Sequence, residues 1–240
     1  MIERTDQPER SAPVAGVAEP RRDGWWAAPA TLLCVFGLLL WQVAEHRVLT
    51  TLDVHVRNRI QDAATSAGLE WLAAFGRACA NIGDPEPAIM GLLVAVALAV
   101  SRTRSWRPVL VAGAAGLVLA TVIPLKIWVD RPGPGDVALG NADLGFFPSG
   151  HTADAMCCYI TAAYLLGAYV WTSVIARRVL TGLASALLAL TIFGLLWSNY
   201  HWLTDILGSL SWCGAWLLVL FHLNAHLGNV AVHNDCQASA

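Results

Sequence analysis

Charged residues are scarce in this chain of 240 residues: only 13% are Asp, Glu, Lys or Arg, whereas 56% are hydrophobic. Soluble domains carry about 25% charged residues, so this composition excludes an ordinary soluble protein and indicates an integral membrane protein. The net charge of −2 and the lack of any basic run exclude a nucleic-acid partner. The expected partner is the lipid bilayer, where the eleven tryptophans would anchor the chain at the interfaces.

The chain also lacks a metal-binding pattern, because no two of its six cysteines have the spacing of zinc ligands. Four of them lie in or near apolar segments, and we interpret them as small buried hydrophobic residues. The 15 basic residues comprise fourteen arginines and a single lysine, Lys126. Neither a metal nor a cofactor is predicted.

Six apolar stretches each approach the roughly 20 residues that a membrane-spanning helix needs. They cover about residues 25–44, 87–100, 109–128, 152–171, 179–197 and 204–223. Segment 45–86 mixes charges with apolar residues at helical spacing, which predicts one or two amphipathic helices at the membrane surface or packed on the bundle. We therefore predict an all-α polytopic membrane domain over residues 25–224.

The ends of the chain differ from this domain in composition. Residues 1–24 are polar and are expected to form a disordered cytoplasmic tail, not a signal peptide. Residues 225–240 are expected to form a cytoplasmic C-terminal tail. Arginines cluster before the first span, after the second and after the fourth, and the positive-inside rule assigns those three regions to the cytoplasm. In a bacterial inner membrane, loops 129–151 and 198–203 would then face the periplasm or the cell exterior.

The motif "IPLKIWVDRPGPGD" places Lys126 and Arg131 at the outward end of the third span. Two cations close together suggest an anion site. The alternative is that Lys126 snorkels to the interface, as charges at span ends do, and that Asp130 and Asp136 neutralise the cations locally.

The motif "PSGH" precedes the fourth span. The first N–H groups of a helix have no partner within the helix and attract anions, so Ser149 and Gly150 are candidate phosphate ligands. His151 follows them and would transfer a proton near neutral pH. The alternative is an ordinary capped helix start beside an interfacial histidine.

The motif "SNYHWLTD" places His201 and Asp205 four residues apart, on one face of a helix start. A carboxylate that accepts from one imidazole nitrogen leaves the other nitrogen as a nucleophile. The alternative is a stray interfacial histidine and a helix-capping aspartate. Because all three motifs fall on the same predicted side, they favour metal-free phosphoryl transfer from a phosphate ester, with one histidine as nucleophile and the other as acid.

These residues resemble the type-2 phosphatidic acid phosphatase (PAP2) superfamily over about residues 86–223. Its signature is K-x6-R-P, P-S-G-H and S-R-x5-H-x3-D. The resemblance implies that His201 is the nucleophile, Asp205 its orienting acid and His151 the general acid. It also implies that Lys126, Ser149 and Gly150 bind the phosphate, in a helical bundle of six spans.

Two positions depart from this signature, because Gly133 and Leu195 stand where the family has phosphate-binding arginines. Losing one such donor costs about 3 kcal/mol of transition-state stabilisation. Arg131 is the candidate replacement for the first arginine. An arginine restored at position 195 is then expected to be tolerated and to raise activity.

The resemblance implies a phosphatase for a lipid phosphate or pyrophosphate at the outer leaflet, acting on polyprenyl pyrophosphate, phosphatidate or phosphatidylglycerophosphate through a phosphohistidine. One alternative is a lipid phosphotransferase with the same first half-reaction. The other is a non-catalytic protein that binds a lipid headgroup. The intact histidines favour an enzyme, whereas Gly133 and Leu195 favour the binder.

Overall fold

The computed structural model describes residues 24–135 and 144–238, and the regular secondary structure within these ranges is helical. The helices are α1 (Ala27–Ala44), α2 (Val48–Ser66), α3 (Ala73–Asn81), α4 (Pro85–Thr103), α5 (Arg107–Ala120), α6 (Val122–Val129), α7 (Gly150–Ala155), α8 (Thr161–Tyr169), α9 (Val174–Trp197) and α10 (Leu203–Ala238). A short 3-10 turn, Glu70–Leu72, precedes α3, and a π-helical turn, Met156–Ile160, joins α7 to α8.

Five stretches in the described ranges are long and apolar enough to cross a membrane, and they make this a multi-pass membrane protein. They are Ala27–Ala44, Pro85–Thr103, Arg107–Val129, Val174–Trp197 and Leu203–Leu227. The predicted span at about 152–171 corresponds to α7, the π turn and α8, which follow one another without a break. This stretch is not among the five, so the count differs from the predicted six.

Prolines set several helix boundaries. Pro85 and Pro108 lie in the first turns of α4 and α5, where a missing N–H costs nothing because it would have no helical partner. Pro124 has the opposite effect, since it cannot donate to the carbonyl four residues earlier. The stretch Arg107–Val129 is accordingly interrupted at Thr121, between α5 and α6.

The stretch from α7 to α8 lies in the middle of the bundle and packs against α4, α5, α9 and α10. Its buried residues are mostly small, and they include Ala153, Ala155, Cys157 and Cys158. Small side chains let neighbouring helices approach closely, as is common in membrane bundles. Because this helix is central, its first residues, Gly150 and His151, lie close to the starts of α4 and α10 and to the end of α6.

The amphipathic segment forms α2 and α3, and both helices pack on the bundle. Helix α3 crosses α9 where Gly76 and Gly194 meet, and a Cβ on Gly194 would collide with the backbone of Ala80. Helix α2 contacts α1, α9 and α10, and it buries the carboxylate of Asp53. Of the two predicted placements, at the membrane surface or packed on the bundle, the structure shows packing on the bundle.

Helix α10 continues from Leu203 to Ala238, past the predicted start of the C-terminal tail at residue 225. No proline follows Leu203, so nothing in the sequence 225–238 obliges the helix to stop. The other predicted tail, residues 1–24, lies outside the described residues except for Gly24.

Candidate active site

A cavity of about 540 Å³ opens at the end of the bundle where α4, α7 and α10 begin and α6 ends. It brings together four of the residues predicted from the motifs: Lys126, Gly150, His151 and His201. The rest of the wall comprises Asp84, Pro85, Glu86, Leu144, Gly145, Phe146 and Asp154.

His201 lies in the short connection between α9 and α10, and its side chain is 3% exposed. Its Nδ1 is 3.3 Å from Oδ2 of Asp205, which also accepts from the Trp202 N–H at 3.1 Å. With the Nδ1 proton donated to Asp205, Nε2 keeps its lone pair. Burial lowers the pKa of His201, although Asp205 opposes this shift. The ring is therefore neutral at neutral pH, as a nucleophile must be.

His151 faces His201 across the cavity, and the two ring centroids are 5.9 Å apart. Its Nε2 lies 3.1 Å from Oδ1 of Asp84, the residue before α4. The neighbouring Gly83 permits this approach, because a Cβ there would lie 2.9 Å from the His151 carbonyl oxygen. A carboxylate at this distance favours the protonated imidazole, which is the form that a general acid needs. Burial, together with the neighbouring His201 and Lys126, opposes this and lowers the pKa of His151 to about 4.

Lys126 and the start of α7 form the electropositive part of the cavity wall. The Lys126 Nζ donates to the Gly145 carbonyl at 2.8 Å. A Cβ on Gly150 would lie 3.5 Å from Cε of Lys126, so the backbone and the lysine are close neighbours. The N–H groups of Gly150 and His151 have no hydrogen-bond partner in residues 24–135 and 144–238. An anion held here would meet one ammonium and two backbone donors.

Ser149 differs from expectation, because its side chain is fully buried beneath the cavity and does not line it. Its hydroxyl caps α7 by accepting from the Thr152 N–H at 3.4 Å and from the Thr152 hydroxyl at 3.0 Å. Its carbonyl accepts from the Ser209 hydroxyl at 2.6 Å. In this arrangement Ser149 fixes the helix start and makes no direct contact with the cavity.

Arg131 also differs from expectation. Its guanidinium is buried and donates to Asp205 Oδ1 at 2.5 Å and to Asp53 Oδ2 at 2.6 Å. A buried arginine with two carboxylate partners satisfies its charge internally. Arg131 therefore braces Asp205 from behind and is not among the residues that line the cavity.

Asp53 and Thr204 complete this buried network. Asp53 Oδ1 accepts from the Thr204 N–H at 2.9 Å, and Asp53 Oδ2 accepts from the Thr204 hydroxyl at 2.5 Å. Thr204 lies in the first turn of α10, where backbone N–H groups have no partner within the helix. Asp53 on α2 thus caps α10 from a distant part of the chain and fixes the helix that carries Asp205.

Three carboxylates in the cavity wall were not predicted: Asp84, Glu86 and Asp154. Asp84 and Glu86 flank Pro85 at the start of α4, and Asp154 lies one helical turn after His151. The i, i+3 spacing of Asp154 from His151 was the one available signal, since it places both on the same face of a helix. Burial and the neighbouring Glu86 raise the pKa of Asp84.

Comparison with known proteins assigns this chain to a family. The sequence model of the PAP2 superfamily matches residues 106–228. This chain is a PAP2 superfamily member. No curated protein matches the sequence.

The fold of this PAP2 chain is also that of a solved membrane protein. It is similar to the first transmembrane PAP2-type phosphatidylglycerolphosphate phosphatase structure from Bacillus subtilis, with a TM-score of 0.69 and 22% sequence identity. The similarity covers 84% of this chain and 96% of that chain. The predicted fold class, a helical PAP2-like bundle, is confirmed.

Packing fills the surroundings of positions 133 and 195, where the resemblance led us to expect arginines. A Cβ on Gly133 would lie 2.5 Å from Cζ of Phe146, so that ring occupies the space of a side chain at 133. Leu195 is fully buried in a cluster with Ala80 and Ile206. Neither position lines the cavity, and the candidate phosphate-binding groups in its wall are Lys126 and the start of α7.

Proposed function

We propose that this protein is a membrane phosphatase that hydrolyses a lipid phosphate or pyrophosphate through a phosphohistidine on His201. The observation that carries the proposal is the facing pair of imidazoles, 5.9 Å apart across one cavity, with Asp205 behind His201. Membership of the PAP2 superfamily supports it independently. Polyprenyl pyrophosphate, phosphatidate and phosphatidylglycerophosphate are the candidate substrates.

In the first half-reaction, Nε2 of His201 attacks phosphorus, and a P–N bond forms as the P–O bond to the lipid breaks. His151 donates a proton to the departing oxygen, so the lipid leaves as an alcohol, or as a monophosphate from a pyrophosphate. Asp205 holds the Nδ1 proton of His201 and stabilises the positive charge that develops on its ring. Lys126 and the N–H groups of Gly150 and His151 bind the phosphoryl oxygens.

In the second half-reaction, His151 accepts a proton from a water molecule that attacks the phosphohistidine. The P–N bond breaks, inorganic phosphate leaves, and His201 returns to its neutral state. Each proton moves between His151 and an oxygen atom, so these steps require no metal ion.

The arginine distribution supports an orientation with both termini in the cytoplasm and the cavity facing the periplasm or cell exterior. The active site would then meet lipids of the outer leaflet. Leu144 and Phe146 form an apolar part of the cavity wall, next to the phosphate-binding groups. An apolar wall suits a substrate whose phosphate is attached to a lipid chain.

The test is phosphate release by the purified full-length protein in detergent with EDTA, using the three candidate lipid classes as substrates. We expect release by the wild type, loss of release in His201→Ala, and retention in His55→Ala, whose ring is exposed on α2. Wild-type rates equal to those of His201→Ala on every substrate would overturn the proposal and favour a headgroup-binding protein. A trapped phosphoryl-enzyme without release of phosphate would indicate a phosphotransferase.

A further inference from the structure

A second cavity, of about 510 Å³, lies at the opposite end of the bundle from the two histidines. It opens where α5 and α9 begin, α8 ends, and α10 passes Asn224. Its polar lining consists of Arg107, Tyr164, Tyr169, Arg177, Thr181 and Asn224. The proposed phosphatase chemistry uses none of these residues.

Two arginines from different helices contribute to this lining, and both are fixed through one edge only. The Arg177 Nε donates to the Gly167 carbonyl at 3.0 Å, and the Arg107 Nη2 donates to the Leu227 carbonyl at 3.1 Å. Among the side chains of residues 24–135 and 144–227, no carboxylate pairs with either guanidinium. Each arginine therefore keeps N–H donors that are available to an anion.

The opposite part of the lining is a rigid polar cluster. The Asn224 Nδ2 donates to the hydroxyls of Tyr164 and Tyr169 at 2.8 and 2.9 Å, and the Tyr164 ring stacks on Phe221 with centroids 4.0 Å apart. Because these contacts already hold the side chains in place, ordering them would cost little conformational entropy when a ligand binds. The tyrosine oxygens are acceptors for hydroxyl or ammonium groups beside a phosphate.

The charge at this end contrasts with that of the first cavity. Residues 101–107 and 170–178, which comprise two connections and the adjoining helix ends, carry five arginines and no acidic residue. The first cavity instead has three carboxylates and one lysine in its wall. A basic cavity between helix ends at a membrane surface is the kind of site that binds anionic lipid headgroups.

We propose that this second cavity binds the phosphate of an anionic phospholipid from the leaflet opposite the active site. Arg107 and Arg177 bind the phosphate oxygens, and the Tyr164–Asn224–Tyr169 cluster accepts from the rest of the headgroup. The volume is within the range of small-ligand sites and accommodates a headgroup without its acyl chains. The proposal is independent of catalysis at His201.

The experiment is native mass spectrometry of the delipidated full-length protein titrated with phosphatidylglycerol, with phosphatidylcholine as the neutral comparison. We expect Arg107→Gln/Arg177→Gln to weaken phosphatidylglycerol binding about tenfold or more. The matched pair Arg102→Gln/Arg178→Gln removes the same charge from the same end but lies outside the cavity lining. That pair is expected to bind almost as the wild type does.

Equal weakening by the two double variants would overturn the proposal, because it would show a general surface charge effect. A second arm adds inorganic phosphate, and binding as tight as that of the lipid would overturn the lipid assignment in favour of a soluble anion. Should the Arg107→Gln/Arg177→Gln protein fail to fold, Arg107→Gln is compared with Arg102→Gln. Phosphatidylglycerol affinity equal in these two single variants would likewise overturn the site.

Discussion

Asp84 Oδ1 lies 3.1 Å from His151 Nε2, and this contact joins the start of α4 to the proposed general acid. Asp84 is not part of the PAP2 signature motifs, yet it is the carboxylate that contacts His151. The pair parallels that of His201 with Asp205 on the other side of the cavity. Each imidazole of the site therefore has its own carboxylate.

We predict that Asp84→Asn slows hydrolysis of a lipid phosphate about tenfold or more, because His151 loses the partner that stabilises its acid form. Hydrolysis of p-nitrophenyl phosphate is expected to fall much less, since its leaving group needs no proton. The measurement is kcat on the two substrates. Glu86→Gln is the matched control, because it removes a charge from the same cavity without contacting His151.

The pH dependence separates this positioning role from a merely structural one. Burial and Glu86 raise the pKa of Asp84, so its carboxylate becomes neutral earlier as the pH falls. The wild type then resembles Asp84→Asn in acid, and the difference in rate between the two is expected to shrink as pH decreases. A constant ratio across the pH range would contradict the assigned role.

We predict that Arg131→Gln acts on stability more than on substrate binding. The substitution leaves Asp53 and Asp205 buried without their cation, and breaking a buried pair in this way costs about 3–5 kcal/mol. The measurement is the thermal unfolding midpoint in detergent, with Arg59→Gln on the exposed face of α2 as control. An unchanged midpoint together with a raised KM would restore Arg131 as a phosphate ligand.

The structure reverses the expectation for Leu195→Arg. The leucine is fully buried against Ala80 and Ile206, so an arginine there would bury a charge in an apolar cluster. We predict a lower unfolding midpoint and reduced activity. Leu195→Met, which keeps the volume, is the control and should cost less than about 1.5 kcal/mol. Raised activity in Leu195→Arg would mean that α9 has a different register.

The pKa of His201 predicts how the enzyme responds to acid. Burial lowers this pKa below the ordinary value of about 6.5, so the neutral nucleophile persists to lower pH than a free histidine would. We expect kcat/KM of an activated aryl phosphate to stay level at pH 6.5 and to fall only at more acid pH. A decline centred above pH 6.5 would contradict this, since it would require a raised pKa.

The fold was largely predictable because it follows from long apolar stretches and a short signature. Hydropathy predicted six apolar stretches, and five of them correspond to helical stretches long and apolar enough to cross a membrane. The sixth, at about 152–171, forms α7, a π turn and α8, and hydropathy gives no sign of that turn. The pairing of His201 with Asp205 was predicted from their i, i+4 spacing. The structure shows this contact, with His201 just before the first residue of α10.

The contacts around that pair were not predictable in the same way. Asp53 and Arg131 are 78 positions apart, and nothing local distinguishes Asp53 from the other charges of an amphipathic helix. Asp84 lies near the end of the same amphipathic segment, 45–86, and no local pattern distinguished it either. Periodicity reports which face of a helix is apolar, but it does not report which charge is buried against another helix.

Helix α2 and the start of α4 contribute carboxylates to the proposed active site, although both lie before the residues that the family model matches. Asp53 and Asp84 both precede residue 106, where the family match starts, and they contact Arg131 and His151 at the proposed active site. A chain trimmed to the matched residues would keep every signature position yet leave Arg131 and His151 without these partners. The residues of the family match and the residues of the proposed active site therefore have different boundaries. Grafting the signature alone onto another bundle would transfer the two histidines without Asp53 and Asp84.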